Sequence, residues 1–139
     1  MPKKPKLVAS LRLASSNMPG RAPRHKVEAK TTILLKAGRV AVTETELYER
    51  VFWKSQLLAR QALSFWHEVK NSEPSGLQEQ VWKDWISKHH ISVGQFYNMI
   101  HGMLGAGFLG KRDAHWHISK NFIREVEALL KLYSSDVKD

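Results

Sequence analysis

From Thr43 to Lys70 the apolar residues Leu47, Val51, Leu58, Ala62, Phe65 and Val69 recur at mostly three- and four-residue steps. That spacing marks one buried face of an α-helix. Thr43 followed by Glu46 has the spacing of a capping box, so the pattern predicts one long helix opening at Thr43. Phe52, Trp53 and Trp66 widen the stripe, as expected of a helix that buries two faces or meets a second subunit. Residues 71–76 form a loop by composition. Ser75 with Gln78 is a second capping-box pair and predicts a helix that turns Leu77, Val81, Trp82, Trp85 and Ile86 inward. It should stop near Lys88, His89 and His90. Ser92 with Gln95 is a third such pair. The helix it opens is expected to bury Val93, Phe96, Tyr97, Ile100, Met103 and Leu104, with Gly105 as its C-terminal cap.

After that helix the period changes from helical to alternating. Phe108-Leu109 and His115-Trp116-His117-Ile118 flank Gly110-Lys111-Arg112-Asp113, which predicts a β-hairpin with a charged tip. A last helix over residues 120–133 carries Phe122, Ile123, Val126, Leu129, Leu130 and Tyr133. Upstream, the β-branched runs at 31–36 and 39–42 flank Ala37-Gly38 and read as a short hairpin or an extended lead-in. Trp53, Trp66, Trp82 and Trp85 fall at core spacing, whereas Trp116 sits between two histidines of the hairpin, equally suited to ligand contact or to packing.

Helix, tight turn, helix and basic-tipped hairpin is the element order of a winged helix-turn-helix. Residues 92–119 (SVGQFYNMIHGMLGAGFLGKRDAHWHIS) resemble the recognition helix and wing of that superfamily, and the resemblance extends over about residues 44–119. It is a likeness of fold and points to no specific family. It implies a mainly α fold with a long first helix, a β-hairpin wing and a C-terminal helix, in which the second helix of the pair enters the major groove. Two features depart from the pattern: residues 71–75 are turn-like where a first strand is usual, and the exposed face of the recognition helix is nearly uncharged.

Charge changes the picture most at the N-terminus. The 139 residues carry 22 Lys+Arg and 13 Asp+Glu, a formal net charge of +9. Residues 1–30 hold eight basic residues and one acid, Glu28, for +7, together with four of the five prolines. The organisation expected is a basic flexible arm at 1–30 and a winged-helix domain at 31–139. The arm is too polar and proline-broken for a secretory signal, and it matches a mitochondrial presequence only in part. Lys3-Lys4-Pro5-Lys6 has the form of a short nuclear-import signal, a pattern common by chance. Within the body, residues 43–85 hold five basic and seven acidic residues, or −2; residues 86–120 hold four Lys/Arg and Asp113, or +3.

These observations make nucleic acid the expected partner. In the arm, Lys3, Lys4, Lys6, Arg12, Arg21, Arg24 and Lys26 would neutralise phosphates. In the body, Gly94, Gln95, Asn98, His101 and Gly102 fall on one side of the recognition helix. Gln95 and Asn98 have the donor–acceptor pair that reads adenine bidentately, and His101 can reach a base or phosphate. Gly94 permits close backbone approach at a helix N-terminus. Lys88 and His90 precede that helix, Lys111 and Arg112 sit at the wing tip, and Lys120 follows it.

The absence of cysteine excludes disulfides, thiol nucleophiles and Cys-ligated metal sites. Five histidines lie within residues 89–117, and His115 with His117 share a strand face, but neither an H-E-x-x-H spacing nor nearby acids beyond Asp113 support a metal centre. No catalytic motif is present, so no enzyme activity and no cofactor are expected. The expectation is a DNA-binding, transcription-regulator-like winged helix with a basic N-terminal tail, acting as a homodimer in the cytoplasm or nucleoid (the nucleus in a eukaryote). Duplex DNA is favoured over RNA, and no membrane partner is expected. A structural nucleoprotein without sequence specificity is the alternative, and a protein-interaction winged helix the third reading.

Overall fold

The computed structural model describes residues 28–137. Its elements follow in the order α1 (Glu44–Val51), α2 (Gln56–Asn71), β1 (Leu77–Gln78), a 3-10 turn (Glu79–Val81), α3 (Trp82–His89), α4 (Val93–Ala106), β2 (Leu109–Arg112), β3 (His115–Ile118) and α5 (Asn121–Asp136). The protein is mainly helical, with a small antiparallel sheet of strand order β1-β3-β2.

The capping box at Thr43 forms as its residues dictate. The Thr43 hydroxyl accepts from the Glu46 N–H, and the Glu46 carboxylate accepts from the Thr43 N–H. The long helix expected beyond it is two helices. The chain breaks at Phe52, and Ser55 caps α2 by accepting from the Leu58 N–H at 3.2 Å. At the break the Phe52 ring lies on α4, where a Cβ on Gly102 would come within 2.7 Å of it.

The Ser75–Gln78 pair does not cap a helix. Gly76 has φ +86 and Leu77-Gln78 pair with Trp116 and His115 of β3, so sheet pairing overrides the local capping signal. Helix α3 starts only at Trp82 and stops at His90, which adopts the left-handed conformation (φ 56). The Ser92–Gln95 box forms on both sides. Helix α4 runs to Ala106 and is capped by Gly107 (φ 82), two residues after the expected Gly105. Gly105 serves a different need, since a Cβ there would lie 2.4 Å from the Lys30 backbone.

The hairpin is longer than its apolar residues suggest. Lys111 and Arg112 belong to β2, and the turn is Asp113-Ala114, both with positive φ, the geometry of a two-residue hairpin turn. Glu79 N–H donates to the Ala114 carbonyl, which ties the tip to the 3-10 turn. Residues 31–42 form no strand pair. They follow an extended path with one bridge, Lys36 to Arg39, and Arg50 donates to the carbonyls of Leu34 and Arg39 to hold that path against α1.

The core sits where α2, α4 and the sheet converge. The Phe65 ring meets Trp85, Phe96 and Trp116 edge-on at 5.1, 5.6 and 5.2 Å. Trp116, equally placed by sequence for ligand contact or for packing, is a core residue at 1% exposure. Trp85 is buried and Trp66 and Trp82 are half-buried, but Trp53 is exposed beside Lys54. Helix α5 is anchored at its start, where Phe122 packs on Phe108 and its N–H donates to the Gly107 carbonyl; none of its residues is buried.

Candidate nucleic-acid interface

The surface around α4 begins at the Ser92 cap, after which Val93 and Gly94 are exposed. Buried residues on α4 are Phe96, Met99, Ile100, Gly102, Met103 and Ala106. The open positions toward its start are therefore Val93, Gly94, Gln95, Tyr97, Asn98 and His101, of which Gln95, Tyr97 and His101 are half-buried. Gly102 is excluded from them by the Phe52 ring. Tyr97, expected in the core, is half-buried on the open side, its ring parallel to that of His101 with centroids 6.0 Å apart.

The sequence-named residues fare differently from one another. Lys3, Lys4, Lys6, Arg12, Arg21, Arg24 and Lys26 lie outside the described residues. Lys88, His90, Gly94, Asn98, Arg112 and Lys120 are exposed, and Gln95 and His101 are half-buried. Gln95 is committed to the fold, because its side-chain carbonyl accepts from the Ser92 N–H at 2.8 Å. Bidentate reading of adenine requires that same oxygen, so the cap competes with it. Gly94 is the opposite case: it has ordinary helical φ, and a Cβ would meet no atom closer than Ser92 Oγ at 3.8 Å.

The charge pattern is also altered by folding. Lys111 Nζ lies 2.6 Å from the Glu79 carboxylate, which is buried. Glu73 accepts from the Ile118 N–H at 2.8 Å and pairs with His117 Nδ1 at 2.9 Å. Burial alone would raise the Glu73 carboxyl, but the Ile118 N–H, the His117 ring and the Arg112 charge bring it below its ordinary value. Two acids counted with the α1–α3 segment thus fold against the wing. Adding Glu73 and Glu79 to the +3 of residues 86–120 leaves +1. His101 and His89 both titrate below an ordinary histidine, chiefly through burial and then through Lys30 and Lys88 respectively, so at neutral pH they add no positive charge.

Sequence reasoning missed Tyr97, Glu73 and Glu79. Tyr97 lies four residues after Val93 and four before His101, a spacing that fitted the open face as well as the core. The two glutamates carry no local signal, since their partners are 32 to 45 residues away. His115 and His117 do not pool their nitrogens: His115 Nδ1 is 2.7 Å from the Asp113 carbonyl and His117 Nδ1 faces Glu73. Among the described residues no three His, Asp or Glu side chains gather into a metal-holding group, and no helix is long and apolar enough to cross a membrane.

Residues 42–139 match the model of an archaeal family whose function is unknown. The chain belongs to that family. The match takes in the five helices and the sheet of the described residues and leaves out residues 1–41. No curated protein and no solved structure matched the chain.

Proposed function

We propose that this chain binds nucleic acid, with duplex DNA as the favoured partner, and that it acts by binding and not by catalysis. The observation that carries the reading is the charge distribution: +7 of a net +9 lies in residues 1–30, ahead of a body whose remaining charge is nearly balanced. Such an arm releases counterions from a phosphate backbone and contributes affinity without sequence information. A winged helix-turn-helix reading of the body is supported by the order α2, β1, α3, α4, β2, β3, with a short first strand that joins the hairpin. In this reading the first turn of α4 approaches the duplex. A Cβ at Gly94 there would meet no atom closer than Ser92 Oγ at 3.8 Å, so this turn leaves its backbone open to close approach. Asn98 and Tyr97 are the side chains that then face the groove. A cytoplasmic or nucleoid location follows from this reading.

A second reading, a structural nucleoprotein without sequence preference, is favoured by one observation. The wing cations lie beside Glu79 and Glu73, and Gln95 is held in a cap, which leaves little base-reading chemistry. Competition binding separates the two. Full-length protein is titrated with duplexes of differing sequence, single strands and RNA, beside Asn98→Ala and a deletion of residues 2–27. Altered preference among duplexes in Asn98→Ala supports a sequence-reading regulator. Uniform loss on deletion alone supports the structural role. Retention of no nucleic acid at moderate salt rejects both.

A further inference from the structure

The extended segment ahead of α1 crosses α4 at Gly105 with no side chain between the two backbones. A Cβ on Gly105 would lie 2.4, 2.6 and 2.8 Å from the carbonyl carbon, the Cα and the nitrogen of Lys30. Farther along, the Leu34 N–H donates to the Arg50 carbonyl at 2.9 Å, and Arg50 Nη1 donates back to the Leu34 carbonyl at 3.4 Å. Ile33 packs against the core between these two points. Residues 30–34 are therefore seated on the body both at α4 and at α1.

The crossing has a definite place on α4. Gly94, Asn98, His101 and Gly105 follow one another at steps of four, three and four, which is one stripe of a helix. Gly94 and Asn98 at its start are exposed, His101 is half-buried, and an exposed Lys30 crosses at its end. Lys30 is near enough to His101 to add to burial in holding that imidazole below its ordinary value. Lys26 and Arg24 precede Lys30 by four and six residues. At about 3.6 Å per residue at most, the chain keeps them within roughly 14 and 22 Å of the crossing. The stripe from Gly105 back to Gly94 is about 17 Å long at ~1.5 Å per residue. These lengths fit within one turn of a DNA duplex, about 34 Å.

We propose that Gly105 seats the root of the basic arm in line with the open stripe of α4, so that Lys30, the arm's nearest cations and α4 grip one turn of a single duplex as a continuous surface. The inference rests on the nucleic-acid reading above and adds to it a positioning residue and a path for the chain. Phosphate contacts from Lys30, Lys26 and Arg24 carry no sequence information, but they fix how α4 sits over the groove.

Because the chain has no cysteine, single cysteines can carry a photo-cross-linker in the full-length protein. Glu28→Cys beside the root, Val93→Cys at the start of α4 and Glu127→Cys on α5 all replace exposed residues. On a labelled DNA duplex, positions 28 and 93 should cross-link and position 127 should not. Adding Gly105→Ala should lower the yield from position 28 several-fold and leave that from position 93 little changed. In the free protein the same change should speed trypsin cleavage after Lys30, with the near-ultraviolet signals of Trp85 and Trp116 retained. Arg50→Gln, which leaves α4 untouched and loosens the hold on Leu34, should lower the position-28 yield in the same direction. If position 28 fails to cross-link while the unaltered chain binds the duplex, the inference is overturned and nucleic-acid binding stands. A position-28 yield that neither variant lowers, or cleavage after Lys30 that Gly105→Ala does not speed, overturns it in the same way. An unaltered chain that retains no duplex at moderate salt removes both.

Discussion

Helices α4 and α5 have similar length and both carry a hydrophobic face, yet they meet opposite fates. In α4 six residues are buried, among them Phe96, Met99 and Met103 with no exposure. In α5 none is buried. Amphipathicity therefore states that a face needs covering, and tertiary contacts decide what covers it. The sheet, α2 and Phe52 cover α4 and leave its first turn open; nothing within the described residues covers α5 past Phe122.

Alanine substitutions break this comparison most sharply. Phe96→Ala should cost about 3–5 kcal/mol of unfolding free energy in denaturant titration, the range for a large buried aromatic. Leu130→Ala should leave the stability of the body nearly unchanged, measured by the same Trp signal at a concentration low enough to keep the chain monomeric. Equal losses would mean that α5 is part of the core.

The glycines of α4 sharpen the contrast within one helix. Gly102→Ala places a Cβ against the Phe52 ring and should cost about 1–3 kcal/mol, as overpacking does. Gly94→Ala has open space and should stabilise by up to about 1 kcal/mol while weakening duplex binding. Stabilisation with undiminished binding would remove the first turn of α4 from the interface.

The smallest effect is on pH. The Glu73 carboxyl sits below its ordinary 4.5 in the folded protein. Its contribution is therefore present above that value and is lost as pH falls through the lower folded one. Glu73→Gln should flatten the acid limb of the stability curve, read by thermal unfolding between pH 3 and 6, roughly the window in which carboxylates titrate. His101, also lowered, acts in the same direction nearer its ordinary 6.5.

Much of the fold was legible because its signals are local. The caps at Thr43 and Ser92, the hairpin and the C-terminal helix all rest on residues a few positions apart. The break at Phe52 was hidden because Ser55 caps α2 without a glutamate three residues on, and the contact that the Phe52 ring makes there is with Gly102, fifty residues away. Strand β1 was hidden because two residues cannot show an alternating pattern, and its pairing partner lies in β3. Of the proposed interface, spacing placed Gly94 and Asn98 on an exposed part of α4, while the arm residues up to Lys26 lie outside the described residues. Its electrostatics were not legible: the glutamates that neutralise the wing come from the loop and turn flanking β1.

The arm is where the account stands or falls. The direct measurement is the slope of log binding constant against log salt for full-length protein and for the chain lacking residues 2–27, on one duplex. Seven cations lie in that deleted segment. At roughly −0.9 per phosphate neutralised, their loss should flatten the slope by several units and leave a weak, nearly salt-independent remainder. An unchanged slope after deletion would contradict the account and return the binding surface to the body.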